Sequence, residues 1–206
     1  MTNLLVVATR NPDKVREIKA MLGEEEIEFL SLLDFPHLPE IKEEGETFRE
    51  NAVSKAQKTA ELTGCLSLAD DSGLEVYALG GAPGVRSARF SGEKVDYKAN
   101  NQKLLKLMAP LPEEKRGACF RCVVALASPS GRLEVVEGAY QGRISFAPRG
   151  KNGFGYDPVF IDPVSGKTFA ELSPEEKNKI SHRAIAISQA GSLLKARLKH
   201  KEEKIG

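Results

Sequence analysis

The first feature in the pattern of apolar and polar positions is Leu4-Leu5-Val6-Val7-Ala8, a continuous apolar run of strand length. Such a run is the signature of a strand buried on both faces. Thr9-Arg10-Asn11-Pro12 interrupts it, and Val15, Ile18 and Leu22 then recur at helical spacing up to Gly23. Asn11 stands where an N-cap belongs, with Pro12 at the first helical position. The stretch 24–46 is acidic and irregular, broken by Pro36 and Pro39, with Phe29 and Leu30 marking a second strand. Phe48, Ala52, Ala56 and Ala60 then form one helical face. Thr47 and Glu50 precede it with capping-box spacing, and Gly64 is its natural stop.

A second apolar run, Leu66-Ser67-Leu68-Ala69, ends on the consecutive carboxylates Asp70 and Asp71. Ser72-Gly73 is expected to turn the chain there, before the apolar positions Leu74 and Val76. A glycine-rich loop, 80–92, carries Arg86 and Arg89, and 96–108 reads as a helix with Leu104, Leu105 and Met108 inward. Ala118 to Ala127 and Leu133 to Ile144 read as two strands joined by Ser128-Pro129-Ser130-Gly131, a hairpin. Hairpins belong to mixed or antiparallel sheet, so the pattern predicts an α/β fold that is not purely doubly wound. In the loop around Asn152-Gly153-Phe154-Gly155-Tyr156-Asp157-Pro158, two aromatics stand between glycines. They read either as an exposed stacking platform for a planar base or as core rings beside a turn. Ser173-Pro174 opens a short helix with acids in its first turn, and Ser181 caps a last helix running through Ile185, Leu193, Leu194 and Leu198. The charged tail 199–206 reads as frayed.

Composition narrows the classes. The 206 residues make one large domain or two small lobes, and 30 Lys+Arg against 29 Asp+Glu leave a net charge of +1. That balance offers no duplex-binding surface. No apolar run approaches the roughly 18 residues of a membrane span, and Met1-Thr2-Asn3-Leu4 lacks the charged start of a leader. The expectation is a cytoplasmic protein with no nucleic-acid and no membrane partner. Cys119-Phe120-Arg121-Cys122 has redox or zinc-knuckle spacing, but it lies in a strand-like run, where positions three apart point to opposite faces. Cys65 offers no second C-x-x-C, so two core thiols are expected.

Three places carry candidate chemistry. Adjacent aspartates at the end of an apolar segment repel each other and are poorly solvated, a problem that a divalent cation removes. Mg²⁺ takes one or two carboxylates and fills its remaining positions with water and phosphate oxygens; the other reading of Asp70-Asp71-Ser72-Gly73 is a plain turn. The turn at Thr9–Lys14 leads from a strand into a helix N-terminus, a ready anion site. Lys14 sits unfavourably there for the helix dipole, which reads either as a contact to a bound phosphate or as a solvated helix lysine. A Walker loop is absent. Glu50 is either the capping partner of Thr47 or a metal ligand projecting toward Asp71. Lys55 is either its salt-bridge partner or a phosphate contact. His182 and Arg183 also fall at a helix N-terminus, where two cationic residue types read either as partners of a nearby anion or polar ring or as a solvated helix start.

Ala8-Thr9-Arg10-Asn11-Pro12-Asp13-Lys14, Thr47-Phe48-Arg49-Glu50-Asn51-Ala52, Ala69-Asp70-Asp71-Ser72-Gly73-Leu74, Phe154-Gly155-Tyr156-Asp157-Pro158 and Ser181-His182-Arg183 span nearly the whole chain. Together they resemble the noncanonical purine nucleoside triphosphate pyrophosphatases, the inosine triphosphatase family whose bacterial members are dITP/XTP pyrophosphatases. The resemblance implies an α/β fold over 1–206, one domain in two lobes around a long twisted mixed sheet with a nucleotide-binding cleft between them, and a homodimer. It implies hydrolysis of ITP, dITP and XTP to monophosphate and pyrophosphate with Mg²⁺. Carried over by motif, Thr9, Arg10, Asn11, Pro12, Asp13 and Lys14 hold the triphosphate. Asp71 is proton acceptor and metal ligand, and Ser72 touches substrate. Phe154, Gly155, Tyr156 and Asp157 line the base pocket with Lys177, His182 and Arg183. Glu43 and Glu50 both stand as the second metal ligand. A maf-like pyrophosphatase of other base specificity and a non-catalytic nucleotide-binding regulator are the rival readings.

Overall fold

The computed structural model describes residues 3–23 and 27–202, with side chains over 4–23 and 27–197. Three expectations fall wholly or partly outside these residues: the first three residues of the acidic stretch, the side chain of Leu198, and the frayed tail from residue 203 on.

The element order is β1 (Asn3–Val7), α1 (Pro12–Leu22), β2 (Ile27–Ser31), α2 (Phe48–Thr63), β3 (Leu66–Val76), α3 (Tyr97–Met108), β4 (Gly117–Ala127), β5 (Leu133–Ile144), β6 (Phe160–Ile161), α4 (Pro174–Ile180) and α5 (His182–Glu202). The six strands form one sheet in the order β2-β1-β3-β4-β5-β6. β1 pairs in parallel with β2 and with β3, Leu5 facing Phe29 on one side and Leu66 on the other. β6 runs antiparallel to β5, so the sheet is mixed. Ser128 N donates to Arg132 O (2.9 Å) and Gly131 N to Ser128 O (3.0 Å), closing the expected turn between β4 and β5. No helix among the described residues is long and apolar enough to cross a membrane.

The chain gathers into two compact units: unit 1 is Met1–Asp71, Val123–Glu137 and Ala184–Gly206, and unit 2 is Ser72–Cys122 and Gly138–Arg183. In unit 1, Phe48, Ala52, Ala56 and Ala60 of α2 pack with Ala8, Ala69, Val123, Ala125 and Ala127. The small residues on that face of α2 let helix and sheet approach closely. In unit 2, Leu74, Val76, Leu104, Met108, Phe120, Val159, Phe160 and Phe169 form the core. Cys119 and Cys122 are buried free thiols, as the strand reading required.

Caps fall where the sequence put them. Asn11 Oδ1 accepts from Asp13 N (2.9 Å) and Lys14 N (3.4 Å) at the start of α1. Thr47 and Glu50 close a capping box on α2, whose Gly64 stop is left-handed at φ 67°. Ser173 and Glu176 form a further box on α4.

One expectation is corrected and one open alternative is narrowed. The turn at Ser72-Gly73 does not form: β3 runs unbroken from Leu66 to Val76, which places Asp70 and Asp71 mid-strand. Leu74 and Val76, both fully buried, anchor the strand on the far side of the pair. That burial outweighs the turn preference of a Ser-Gly dipeptide. Tyr156 is a buried core residue of unit 2. The last helix forms as read, α5 running through Ile185, Leu193 and Leu194, with Ala184, Ala186, Ile187, Ala190 and Leu194 buried and Ile185 exposed.

Candidate active site

Unit 1 assembles a cluster of carboxylates and lysines. The turn after β1 is tied inward by Asn11 N donating to Thr9 Oγ1 (3.1 Å) and by Arg10 Nη2 donating to Leu38 O (2.8 Å). Pro12 brings no N–H, and Asn11 caps the amides of Asp13 and Lys14, so two of the expected anion donors are already held in place. Lys14 reaches back across β3, its Nζ 3.1 Å from Asp70 Oδ2, which gives this first-turn lysine a partner in the fold itself.

Asp70 and Asp71, successive on a strand, point to opposite faces and meet different cations. On α2, Asn51 and Lys55 lie one turn apart. Asn51 Nδ2 donates to Asp71 Oδ2 at 3.0 Å. Lys55 Nζ donates to Asp70 O (2.6 Å) and to Glu43 Oε1 (2.5 Å), and lies 4.0 Å from Asp71 Oδ1. Burial pushes the Asp71 carboxyl up to about 6, against the pull of Lys55 and Lys14. Burial works against Lys55 and Glu43 as well, and there their opposite charges win: the lysine lies above its ordinary value and Glu43 below. A group poised near neutrality beside two ammonium groups has the properties of a proton acceptor working on an anionic substrate.

The two glutamates separate. Glu43 joins the cluster through Lys55, whereas Glu50 turns its carboxylate to the amides of Glu46 (2.7 Å) and Thr47 (3.3 Å) in the capping box. Lys55 accordingly pairs with Glu43. Asn51 is a functional candidate that the motif reading passed over. Its signal was present: Asn51, Lys55 and Thr59 are polar at a spacing of four along α2, beside the alanine stripe, and all three are buried.

Unit 2 gathers the remaining residues. Lys177 Nζ donates to Asp157 Oδ2 at 2.6 Å, both side chains buried, while Asp157 Oδ2 also accepts from Phe154 N (2.9 Å). Lys177 Nζ and the Arg183 guanidinium lie 5.1 and 5.4 Å from the centre of the half-buried Phe154 ring, within cation–π range. Arg183 Nη2 donates to Ser72 Oγ at 2.8 Å. His182 is buried and stacks on Phe120, ring centres 4.5 Å apart and planes within 9°. Asn101 Nδ2 donates to Gly155 O (2.9 Å), fixing the glycine-flanked loop. Tyr156 is held from the core side, its hydroxyl donating to Ser87 O at 2.9 Å.

The fold and these two clusters define an α/β protein with a buried acid–lysine centre on its central sheet and a separate set of fixed cationic donors around one aromatic ring. Comparison with known proteins narrows the class. Residues 5–192 match the model of the Ham1 family, and the chain belongs to that family. A Desulforamulus reducens protein named dITP/XTP pyrophosphatase is 50% identical over 96% of this chain and 98% of its own length. A Geobacter sulfurreducens protein of the same name is 52% identical over 89% of this chain and 92% of its own. The solved structure of a HAM1 protein from Coxiella burnetii, 41% identical, superposes with a TM-score of 0.86 over 95% of this chain and 100% of that one.

Proposed function

We propose that this protein hydrolyses non-standard purine nucleoside triphosphates, ITP, dITP and XTP, to the monophosphate and pyrophosphate, clearing them from the nucleotide pool. The observation that carries this reading is the acid–lysine centre of unit 1. A buried carboxylate raised to about 6 is held by an amide and flanked by two lysines, in a chain about half identical to proteins named for this activity.

Water adds across the α–β anhydride in the overall reaction, and the chain's residues divide the work. Asp71 takes the attacking water's proton. Lys14 and the Thr9–Asp13 turn hold the triphosphate, and the positive charge of the lysine offsets the charge that develops on phosphoryl oxygens. Lys55 keeps the carboxylates from repelling one another. The donor set suits Mg²⁺: Asp71 and Glu43 are hard oxygen ligands, and both are tied to the same lysine, Lys55. Asp71 and Glu43 would hold the ion, with Glu50 occupied by its cap. When bound, the ion supplies Lewis-acid neutralisation of the phosphates.

Base choice falls to unit 2. Lys177, His182 and Arg183 offer donors suited to a 6-keto oxygen and mismatched to the 6-amino group of adenine; a buried donor left unpaired costs roughly 1–3 kcal/mol. Phe154, with two cations over its ring, serves as the aromatic wall. The homodimer and cytoplasmic setting implied by the family resemblance belong to the same proposal.

The test is ³¹P NMR of ITP incubated with the protein and Mg²⁺. IMP with pyrophosphate is the expected product pair. IDP with orthophosphate would overturn the reading, and stoichiometric binding without turnover would favour a regulator.

A further inference from the structure

Asn51 is almost wholly buried at 4% exposure, and both ends of its amide are engaged. Nδ2 donates to Asp71 Oδ2 at 3.0 Å and approaches Gly45 O at 3.5 Å. Oδ1 accepts from Gly45 N at 2.8 Å. A side-chain amide donates through one atom and accepts through another, whereas a carboxylate lacks the donor and an alkyl group lacks both. Gly45 approaches so closely that a Cβ there would lie 2.7 Å from Asn51 Oδ1 and 2.8 Å from Glu50 Cβ. Two residues before Gly45 stands Glu43, bonded to Lys55 at 2.5 Å, and Lys55 in turn faces Asp71 at 4.0 Å. The contacts close into a ring, from Asn51 to Asp71, Lys55, Glu43, Gly45 and back to Asn51, with two members set one turn apart on α2.

We propose that Asn51 is a positioning residue, whose single amide holds the Asp71 carboxylate and the Glu43-bearing segment in one fixed arrangement. This deepens, and rests on, the hydrolase reading of the same centre. A side chain that only stabilised the start of α2 would not need its two ends on those two partners. Removing partners that orient active groups typically costs about 10- to 100-fold in activity, and here the loss falls on kcat, because the reacting groups and not the base contacts are disordered.

Two substitutions separate the halves of the link. Asn51→Leu removes both bonds. Asn51→Asp keeps an acceptor for the Gly45 amide but sets a like charge against Asp71. Exchange of the Gly45 amide proton, followed by NMR, reads the segment independently of turnover; kcat and KM for ITP read the centre. Expected is faster Gly45 exchange in the Leu variant and retained protection in the Asp variant. Expected too is a kcat loss of about 10- to 100-fold in both with KM unchanged. Wild-type kcat in the Asp variant would overturn the proposal, as would unchanged Gly45 exchange in the Leu variant. Activity loss that merely follows a lowered melting temperature would do the same. If the Leu variant does not fold, the Asp variant still decides. If the wild type releases no pyrophosphate from ITP, the hydrolase reading falls, while Gly45 exchange still reports whether Asn51 holds the segment.

Discussion

Replacing Asp71 by Asn should make the protein more stable and much less active, with the gain in stability set by pH. The Asp71 carboxyl is raised from its ordinary 3.8 to about 6, chiefly by burial. A raised acid favours the folded state while it keeps its proton. The benefit is complete below pH 4, is lost as pH rises through 6, and is gone above about 7. The shift, at about 1.4 kcal/mol per pH unit, means that ionised Asp71 costs the native state on the order of 3 kcal/mol at pH 8. Lys55 keeps Glu43 and Asp70 O as partners, so the neutral amide leaves no cation stranded. For a chain of this size each kcal/mol moves Tm by about 2–4 °C. Melting curves in EDTA should therefore place Asp71→Asn above the wild type at pH 8 by about 6–12 °C, with the free-energy gap about half as large at pH 5. Turnover of ITP with Mg²⁺ should fall by about 10²-fold or more. A variant that melts below the wild type at pH 8, or a gap that ignores pH, would refute this account of Asp71.

Other substitutions test neighbouring parts. Lys14→Ala should lower kcat/KM for every nucleotide by a similar factor, since the triphosphate is common to all; a change in base preference would place Lys14 at the base instead. Glu43→Gln should raise the Mg²⁺ concentration needed for activity, whereas Glu50→Gln, which preserves the capping box, should leave both activity and Tm near wild type. The reverse ranking would return Glu50 to the metal. Tyr156→Phe removes the hydrogen bond to Ser87 O and should cost about 1 kcal/mol of stability with the ITP-to-GTP selectivity unchanged; altered selectivity would put that ring back at the base.

The capped elements were the legible part of the fold. Asn11-Pro12, Thr47 with Glu50, and Ser173-Pro174 announce helix starts because their chemistry is local, and each stands where it was read. The continuation of β3 was not legible, because a Ser-Gly dipeptide has local turn chemistry while the burial of Leu74 and Val76 is a tertiary fact. For Tyr156 the local pattern left a stacking surface and a core ring both open, and the contact that favours the core, its hydroxyl donating to Ser87 O 69 positions away in sequence, is again tertiary. At the site, the motifs brought forward Lys14, Asp71, Asp157, Lys177 and Arg183. Asn51 went unread as a functional residue although its signal lay in the spacing of Asn51, Lys55 and Thr59. The pairing of Lys55 with Glu43 joins residues 12 apart across an irregular segment, and no periodicity foretells such a contact.

The central claim concerns which bases the unit 2 donors accept. Measuring kcat/KM for ITP, dITP, XTP, ATP and GTP with Mg²⁺, scored by pyrophosphate release, tests it most directly. ITP, dITP and XTP should be cleaved far better than ATP, whose 6-amino group leaves a buried donor unpaired, a discrimination reaching about 10⁴-fold, and better than GTP, whose 2-amino group the Phe154 wall refuses. Comparable kcat/KM values for GTP and ITP would contradict the account and leave a general nucleotide pyrophosphatase.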